Sequence, residues 1–206
     1  MSLAGRWLAI VLLASSSGFA NPASRATMGE TTTLDGRPFQ TDLARVATLR
    51  LHLGDGDFRI VGGDSKEIMI HTDGKNRVQA SKMQVQLKRT GDSLDITFLH
   101  VPKSEVQVTI TVPKETNLYA RMRAGDLSVD GITGDKDVEL TGGDLRIQVP
   151  DPAQYGSVDL SVRFGDVSGS QFGSPKGWIG NTLRRDGSGP YRLHAHVFAG
   201  DLTLKP

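Results

Sequence analysis

An all-β fold follows from three features of the sequence. Gly-Asp pairs recur along the chain, apolar residues alternate on both sides of several of them, most strictly at Gly125-Asp126 and Gly143-Asp144, and glycine makes up 24 of 206 residues while cysteine is absent. Alternation at period two marks a strand with one buried face, and Gly-Asp is corner material. The expected architecture is a right-handed β-helix or solenoid-like stack of short strands with Gly-Asp corners. An antiparallel β-sandwich or roll is the alternative.

Taken in order, residues 1–20 read as a secretory signal peptide: Arg6, an apolar run from Trp7 to Ala14, and the small-x-small end Gly18-Phe19-Ala20. The run is about half of the ~20 apolar residues that a membrane-spanning helix needs. No later segment is apolar for long enough, so no transmembrane segment is expected after the signal is removed. Residues 21–45 are polar and weakly patterned and read as a flexible leader, with Asp35-Gly36 as turn material. Residues 46–206 read as a single β-repeat domain.

Charge narrows the function classes. Removing residues 1–20 takes away one of 24 basic residues and none of 23 acidic ones, leaving 23 against 23. A balanced chain argues against a nucleic-acid partner, which selects a basic stripe. The lack of cysteine excludes disulfides, thiolate metal sites and a lipidated cysteine. The expected location is outside the cytoplasm, periplasmic or extracellular.

Within the domain, residues 46–117 read as antiparallel strands. Leu49, Leu51 and Leu53 lead into Gly56-Asp57, and Phe58 and Ile60 continue in the other phase. Further strands are expected at 67–72, 83–89, 93–99 and 105–112, the last ended by Pro113. Residues 118–206 read as repeat coils with an insertion at 168–190. Their corners are Gly125-Asp126, Gly143-Asp144, Gly165-Asp166 and Gly200-Asp201, separated by 18, 22 and 35 residues. Positions one, three and five before each glycine are apolar or small, as are positions two and four after it. Two geometries fit this parity shift: a two-residue hairpin, or a corner between stacked coils with glycine at positive φ. The recurrence of similar units favours the second.

The run from Val108 to Ile147, with its Val-Pro strand end and serial Gly-Asp-Leu corners, resembles the bacterial putative-adhesin family, a β-repeat group of bacterial envelopes. The resemblance covers roughly residues 46–206 and includes the closing Ala199-Gly200-Asp201-Leu202-Thr203-Leu204. It implies an exported β-helix-like fold with a binding or scaffold role, and it carries over no catalytic residue.

Each candidate for chemistry has a structural reading beside it. Stacked corners would align Asp126, Asp144, Asp166 and Asp201 as an acidic row able to hold calcium, but corner aspartates ordinarily serve the turn. His194 and His196 share a strand face without a third zinc ligand at recognisable spacing, so they read as polar-face residues. His52, His71 and His100 are dispersed. Arg121, Arg123, Arg146 and Arg163 would make a basic stripe for acidic polysaccharide if aligned, or a mixed solvated face given their acidic neighbours. Phe172, Trp178 and Tyr191, in or beside the insertion, read as a cap over the end of the stack or as a partner or glycan contact. Nucleophile elbows and phosphate loops are absent.

The expected function is a non-catalytic, adhesin-like binding or scaffold module of the envelope, with no cofactor and an envelope, glycan or protein partner. A β-helix enzyme acting on acidic polysaccharide is the alternative, and a calcium-loaded β-roll is a third reading. An edge strand, such as residues 192–204, would permit oligomers.

Overall fold

Burial alternates along the long strands as the apolar periodicity predicts. The computed structural model describes residues 24–25, 31–34, 39–42, 46–74, 81–102, 106–176 and 180–206. In it Leu49, Leu51 and Leu53 are buried, while Arg50 and His52 between them face solvent. The described residues form eighteen strands and two single 3₁₀ turns, Pro152–Gln154 and Ser170–Phe172.

Three short strands come first: β1 (Ser24–Arg25), β2 (Thr31–Thr33) and β3 (Phe39–Asp42). β4 (Thr48–Asp55) and β5 (Asp57–Gly63) flank Gly56, and β6 (Glu67–Gly74) and β7 (Gln84–Thr90) follow. Next are β8 (Ser93–Leu99), β9 (Val106–Pro113), β10 (Asn117–Ala124), β11 (Leu127–Asp130), β12 (Lys136–Gly142) and β13 (Leu145–Gln148). The chain closes with β14 (Tyr155–Phe164), β15 (Val167–Ser168), β16 (Asn181–Asp186), β17 (Tyr191–Ala199) and β18 (Leu202–Lys205).

These strands make two mixed, nine-stranded sheets, neither of them closed. The first sheet runs β1-β3-β6-β9-β5-β11-β13-β18-β15, and the second runs β16-β14-β17-β12-β10-β4-β8-β7-β2. Their inward residues belong to one core, in which Phe58 of β5 meets Phe98 of β8 edge to face at 5.3 Å. Each Gly-Asp corner carries the chain from the second sheet to the first: β4 to β5, β10 to β11, β12 to β13, β14 to β15 and β17 to β18. The strands on either side of a corner lie in different sheets, so these corners are not two-residue hairpins. Like strands of successive units pair in parallel, as in Ala120↔Val138 and Val138↔Ala195 of the second sheet and Leu127↔Leu145 and Leu145↔Leu202 of the first.

The corners themselves stack. Gly56, Gly125, Gly143, Gly200 and Gly165 follow one another with φ between +116° and +137°, a region that side chains rarely enter. A Cβ on Gly143 would lie 2.1 Å from the Gly125 carbonyl oxygen, and one on Gly200 would lie 1.9 Å from that of Gly143. The amides of Gly125, Gly143 and Gly200 donate to Gly142, Ala199 and Phe164 carbonyls, each at 2.9 Å. Aspartates tie the same column together. Asp126 Oδ1 accepts from the Asp144 amide at 3.4 Å, Asp144 Oδ1 from the Asp201 amide at 3.3 Å, and Asp201 Oδ1 from the Asp166 amide at 2.9 Å.

Four expectations change. The leader is not all flexible: β3 pairs with β6 and β2 with β7, and Phe39 and Leu34 are buried, because those sheet edges offer both backbone partners and apolar surface. Asp35-Gly36 and residues 1–20 lie outside the described residues. Residues 46–117 are mixed rather than antiparallel, since β4 and β5 flank a corner of their own and pair in parallel with β8 and β9. The insertion at 168–190 contains β16, which pairs antiparallel with β14. The segment 192–204 is no edge: β17 lies between β12 and β14, and β18 between β13 and β15. That position pairs β17 on both sides along most of its length, while β18 pairs β13 throughout and β15 only at Leu202 and Thr203.

Gly143→Ala is expected to destabilise the protein by roughly 2–4 kcal/mol, through positive φ and contact with the Gly125 carbonyl together. Gly91, also at positive φ but with nothing within 4 Å of where a Cβ would stand, isolates the backbone effect. Gly91→Ala is expected to lose only about 1 kcal/mol. Urea melts of the two variants decide the matter, and equal losses would refute close packing of the corners.

Candidate functional site

Parallel register turns the polar positions of successive strands into rows across the outer face of the second sheet. One row passes from Asp95 through Arg50, Tyr119, Asp137, His194 and Asp159 to Arg184. The next holds His52, Arg121, Glu139, His196 and Ser161. Because the buried residues occupy the other phase of the pleat, both rows point away from the core.

The centre of this face is an ion-paired cluster. Arg121 Nη2 lies 2.9 Å from Asp137 Oδ1 and 3.0 Å from Glu139 Oε1, and its guanidinium sits 3.6 Å over the Tyr119 ring. His194 Nδ1 is 3.1 Å from the same Asp137 oxygen. Burial pushes the Asp137 carboxyl up, but the His194 hydrogen bond and the Arg121 charge outweigh it and hold the group below the usual range. Asp137, Glu139 and His194 offer ligand atoms within 4.8 Å of one another, a donor set of the kind that divalent ions take. Arg121 already supplies positive charge to both carboxylates, so an incoming ion would have to displace it.

Among the described residues, three depressions open on this face. One of about 400 Å³ lies among His52, Arg121, Arg123 and Glu139, and one of about 520 Å³ among His52, Gln86, Lys88 and Asp95. The third, about 450 Å³, is lined by Ser161, Arg163, Phe164, Thr182, His196 and Phe198. Phe164 and Phe198 remain 54% and 43% exposed and meet edge to face at 5.5 Å. The Arg163 guanidinium stands 5.9 Å from the centre of each ring, and Ser161 Oγ lies 2.8 Å from His196 Nδ1.

The sequence candidates are distributed as follows. Arg121, Arg123 and Arg163 share the second sheet's outer face, whereas Arg146 is on the first sheet beside Asp144 and Asp126. Arg123 forms a bidentate pair with Asp55 at 2.6 and 2.7 Å. The four arginines therefore do not line up as one stripe. Phe172 is buried and packs edge to face on Tyr155 at 6.3 Å, with Tyr191 at 6.4 Å on another side, so both serve the cover over the core. Trp178 lies outside the described residues. Asp126, Asp144 and Asp201 direct Oδ1 at backbone amides, Asp166 accepts from Asn181, and Gly56-Asp57 completes the β4–β5 corner. Chelation with EDTA is expected to leave the melting temperature unchanged, because backbone amides and the Asn181 side chain already donate to these carboxylates; a marked fall in calorimetry would restore the calcium reading.

Three features escape the sequence pattern. Asp137, Glu139 and His194 are brought together across 57 residues, although Asp137 and His194 both stand six residues before a corner glycine. The alternation puts Phe164 among the inward positions, yet the residue just before the corner lies where the strand leaves the core, and its ring turns out to solvent. Lys136 is the third, a buried charge in an apolar column between Leu118 and Leu193. Its Nζ donates to the Gly134 carbonyl at 3.3 Å and to the Tyr155 hydroxyl, and lies 4.7 Å over the Tyr155 ring.

Burial lowers the Lys136 pKa to about 8 and raises that of Tyr155 to about 12. Between pH 8 and 10 the unfolded chain holds the lysine proton more tightly than the folded one, so stability rises with pH in that window. Above pH 10 ionisation of the unfolded tyrosine reverses the trend. Denaturant melts are expected to gain roughly 2 kcal/mol from Lys136 between pH 8 and 10. Lys136→Met is expected to remove that rise; an unchanged profile in the variant would show that burial does not lower the lysine's pKa in the fold.

No protein-family profile matches the sequence, and no curated protein matches it. Among solved structures the chain is similar to a putative cell adhesion protein from Clostridium sporogenes, over 85% of this chain and 97% of that one, at 13% identity and a TM-score of 0.52. A putative adhesin from Bacteroides fragilis aligns over 89% of this chain and 100% of that one, at 10% identity and a TM-score of 0.27. At 13% identity the first likeness is one of fold.

Proposed function

We propose that this chain is a non-catalytic, exported, adhesin-like binding module of the bacterial envelope, and that the outer face of its second sheet is the binding surface. The observation that carries the reading is the coincidence on that face of three depressions and the exposed Phe164–Phe198 pair. Most core residues are committed to packing and the corner groups to backbone bonds, so the rows on this face are what the scaffold holds out rigidly. The adhesion protein with a similar fold supports the binding role, residues 1–20 support export, and among the described residues no helix is long and apolar enough to cross a membrane. In the same reading the parallel units are a flattened β-helix, with β2, β3, β6 and β7 covering one end and β16 the other.

An enzyme acting on acidic polysaccharide is the second reading, favoured by Arg121, Arg123, Glu139 and His52 around one depression. Adsorption of the purified chain to an envelope fraction, measured beside release of new chain ends from polygalacturonate, separates the two. The binding reading expects adsorption without turnover. Thr141→Lys, on the proposed face, should weaken adsorption by about tenfold, while Thr203→Lys on the first sheet should not. Turnover that disappears with Arg121→Gln would overturn it. Cleavage by protease on intact cells would place the chain outside; protection until the envelope is opened would make it a periplasmic binder rather than an adhesin.

A further inference from the structure

We infer that the depression between β14, β16 and β17 is a saccharide subsite that selects a sugar carrying a carboxylate. The inference rests on the proposed binding face and adds a ligand class to it. Three observations converge there. Phe164 and Phe198 present two nearly perpendicular rings, with an interplanar angle of 79°, on a face whose rows are otherwise mostly polar. About half of each ring's surface is left in water, apolar area that a ligand's C–H face would cover by stacking.

The second observation is the polar lining. Ser161, Thr182 and His196 line the same depression; Ser161 Oγ and His196 Nδ1 engage each other, which leaves the Thr182 hydroxyl and His196 Nε2 to meet sugar hydroxyls. The third is charge. Arg121, Arg123, Arg146 and Arg184 are each paired with carboxylates, whereas among the described residues Arg163 has no carboxylate partner and stands over the two rings. A planar guanidinium beside an aromatic platform suits bidentate capture of a carboxylate on a stacked sugar.

Size and chemistry favour this ligand over two others. The depression, about 450 Å³, is at the scale of small-ligand sites of about 300–1,000 Å³. A stable protein partner covers about 800 Å² on each side, and a membrane surface selects clusters of about 4–8 basic residues. Two rings and one unpaired arginine match neither.

The test is an amide NMR titration of the full mature chain with trigalacturonate and, separately, with its neutral galactose counterpart. Trigalacturonate is expected to bind with a dissociation constant on the order of 1 mM and to shift the amides of Phe164, Gly180, His196 and Phe198. Phe198→Ala should weaken binding at least about tenfold, while Phe198→Tyr, which keeps the ring, should retain it. Arg163→Gln should abolish the preference for the acidic trimer over the neutral one. No shifts from either trimer, shifts elsewhere on the surface, or an Arg163→Gln variant that keeps its preference would overturn the inference. A loss of envelope adsorption in Thr141→Lys alongside silent titrations would refute the sugar class alone and leave the binding face standing.

Discussion

The corner column is the constraint on which the rest depends. At Gly125, Gly143, Gly200 and Gly165 the carbonyl of the neighbouring unit stands about where a Cβ would be, 1.9–2.1 Å from it. Only glycine lets the backbones come that close, and the positive φ at the same residues turns the chain from one sheet to the other. Once the corners are stacked, amide-to-carbonyl bonds lock neighbouring units at one offset. A slip by one residue would reverse which side chains are buried in both sheets at once. The register that makes the outer rows is thus inherited from the corners.

Stacking leaves two ends, and the chain treats them differently. At one end β6 and β7 pair antiparallel on β9 and β8, and β3 and β2 pair beyond them, burying Phe39 and Leu34. At the other, β16 pairs with β14, bearing the exposed Arg184, Arg185 and Asp186, and Phe172 closes over Tyr155. Charged residues on a short outermost strand discourage further pairing. The last unit of the chain, β17–β18, is not at an end but between the units of β12–β13 and β14–β15. That insertion brings His194 beside Asp137 and Phe198 beside Arg163, neighbours that chain order alone would not produce.

Much of this is legible in the residues. Strict alternation around Gly-Asp locates β10 to β13 and β17 to β18 and identifies the buried phase correctly at Leu118, Ala120, Leu140 and Leu145. The outer rows are legible in principle, since Tyr119, Asp137, Asp159 and His194 all stand six residues before a corner glycine. What the pattern does not carry is the order of the units. Nothing local to β17 states that its apolar face fits between β12 and β14, because each unit offers nearly the same backbone edge. The leader misleads for a related reason: the partners of Phe39 lie in β6, far along the chain, and short polar strands show no periodicity of their own. Lys136 breaks the apolar column without warning because its partner Tyr155 comes from another unit.

The same architecture explains how the outer face of the second sheet comes to carry ordered polar rows. Inside, a substitution must suit two neighbouring units and the opposite sheet at once, so variation there is constrained. On the outer face of the second sheet, each long strand contributes side chains at fixed spacing without affecting the corners. A charge in one strand is then answered by its neighbour, as Arg121 is by Asp137 and Glu139 and Arg184 is by Asp159. At Arg163, beside two exposed rings, the surface has a cation without a carboxylate partner among the described residues and apolar area left to solvent. Rigid register makes such a site possible on a flat sheet, because the backbone has already fixed the positions that a ligand would otherwise have to order.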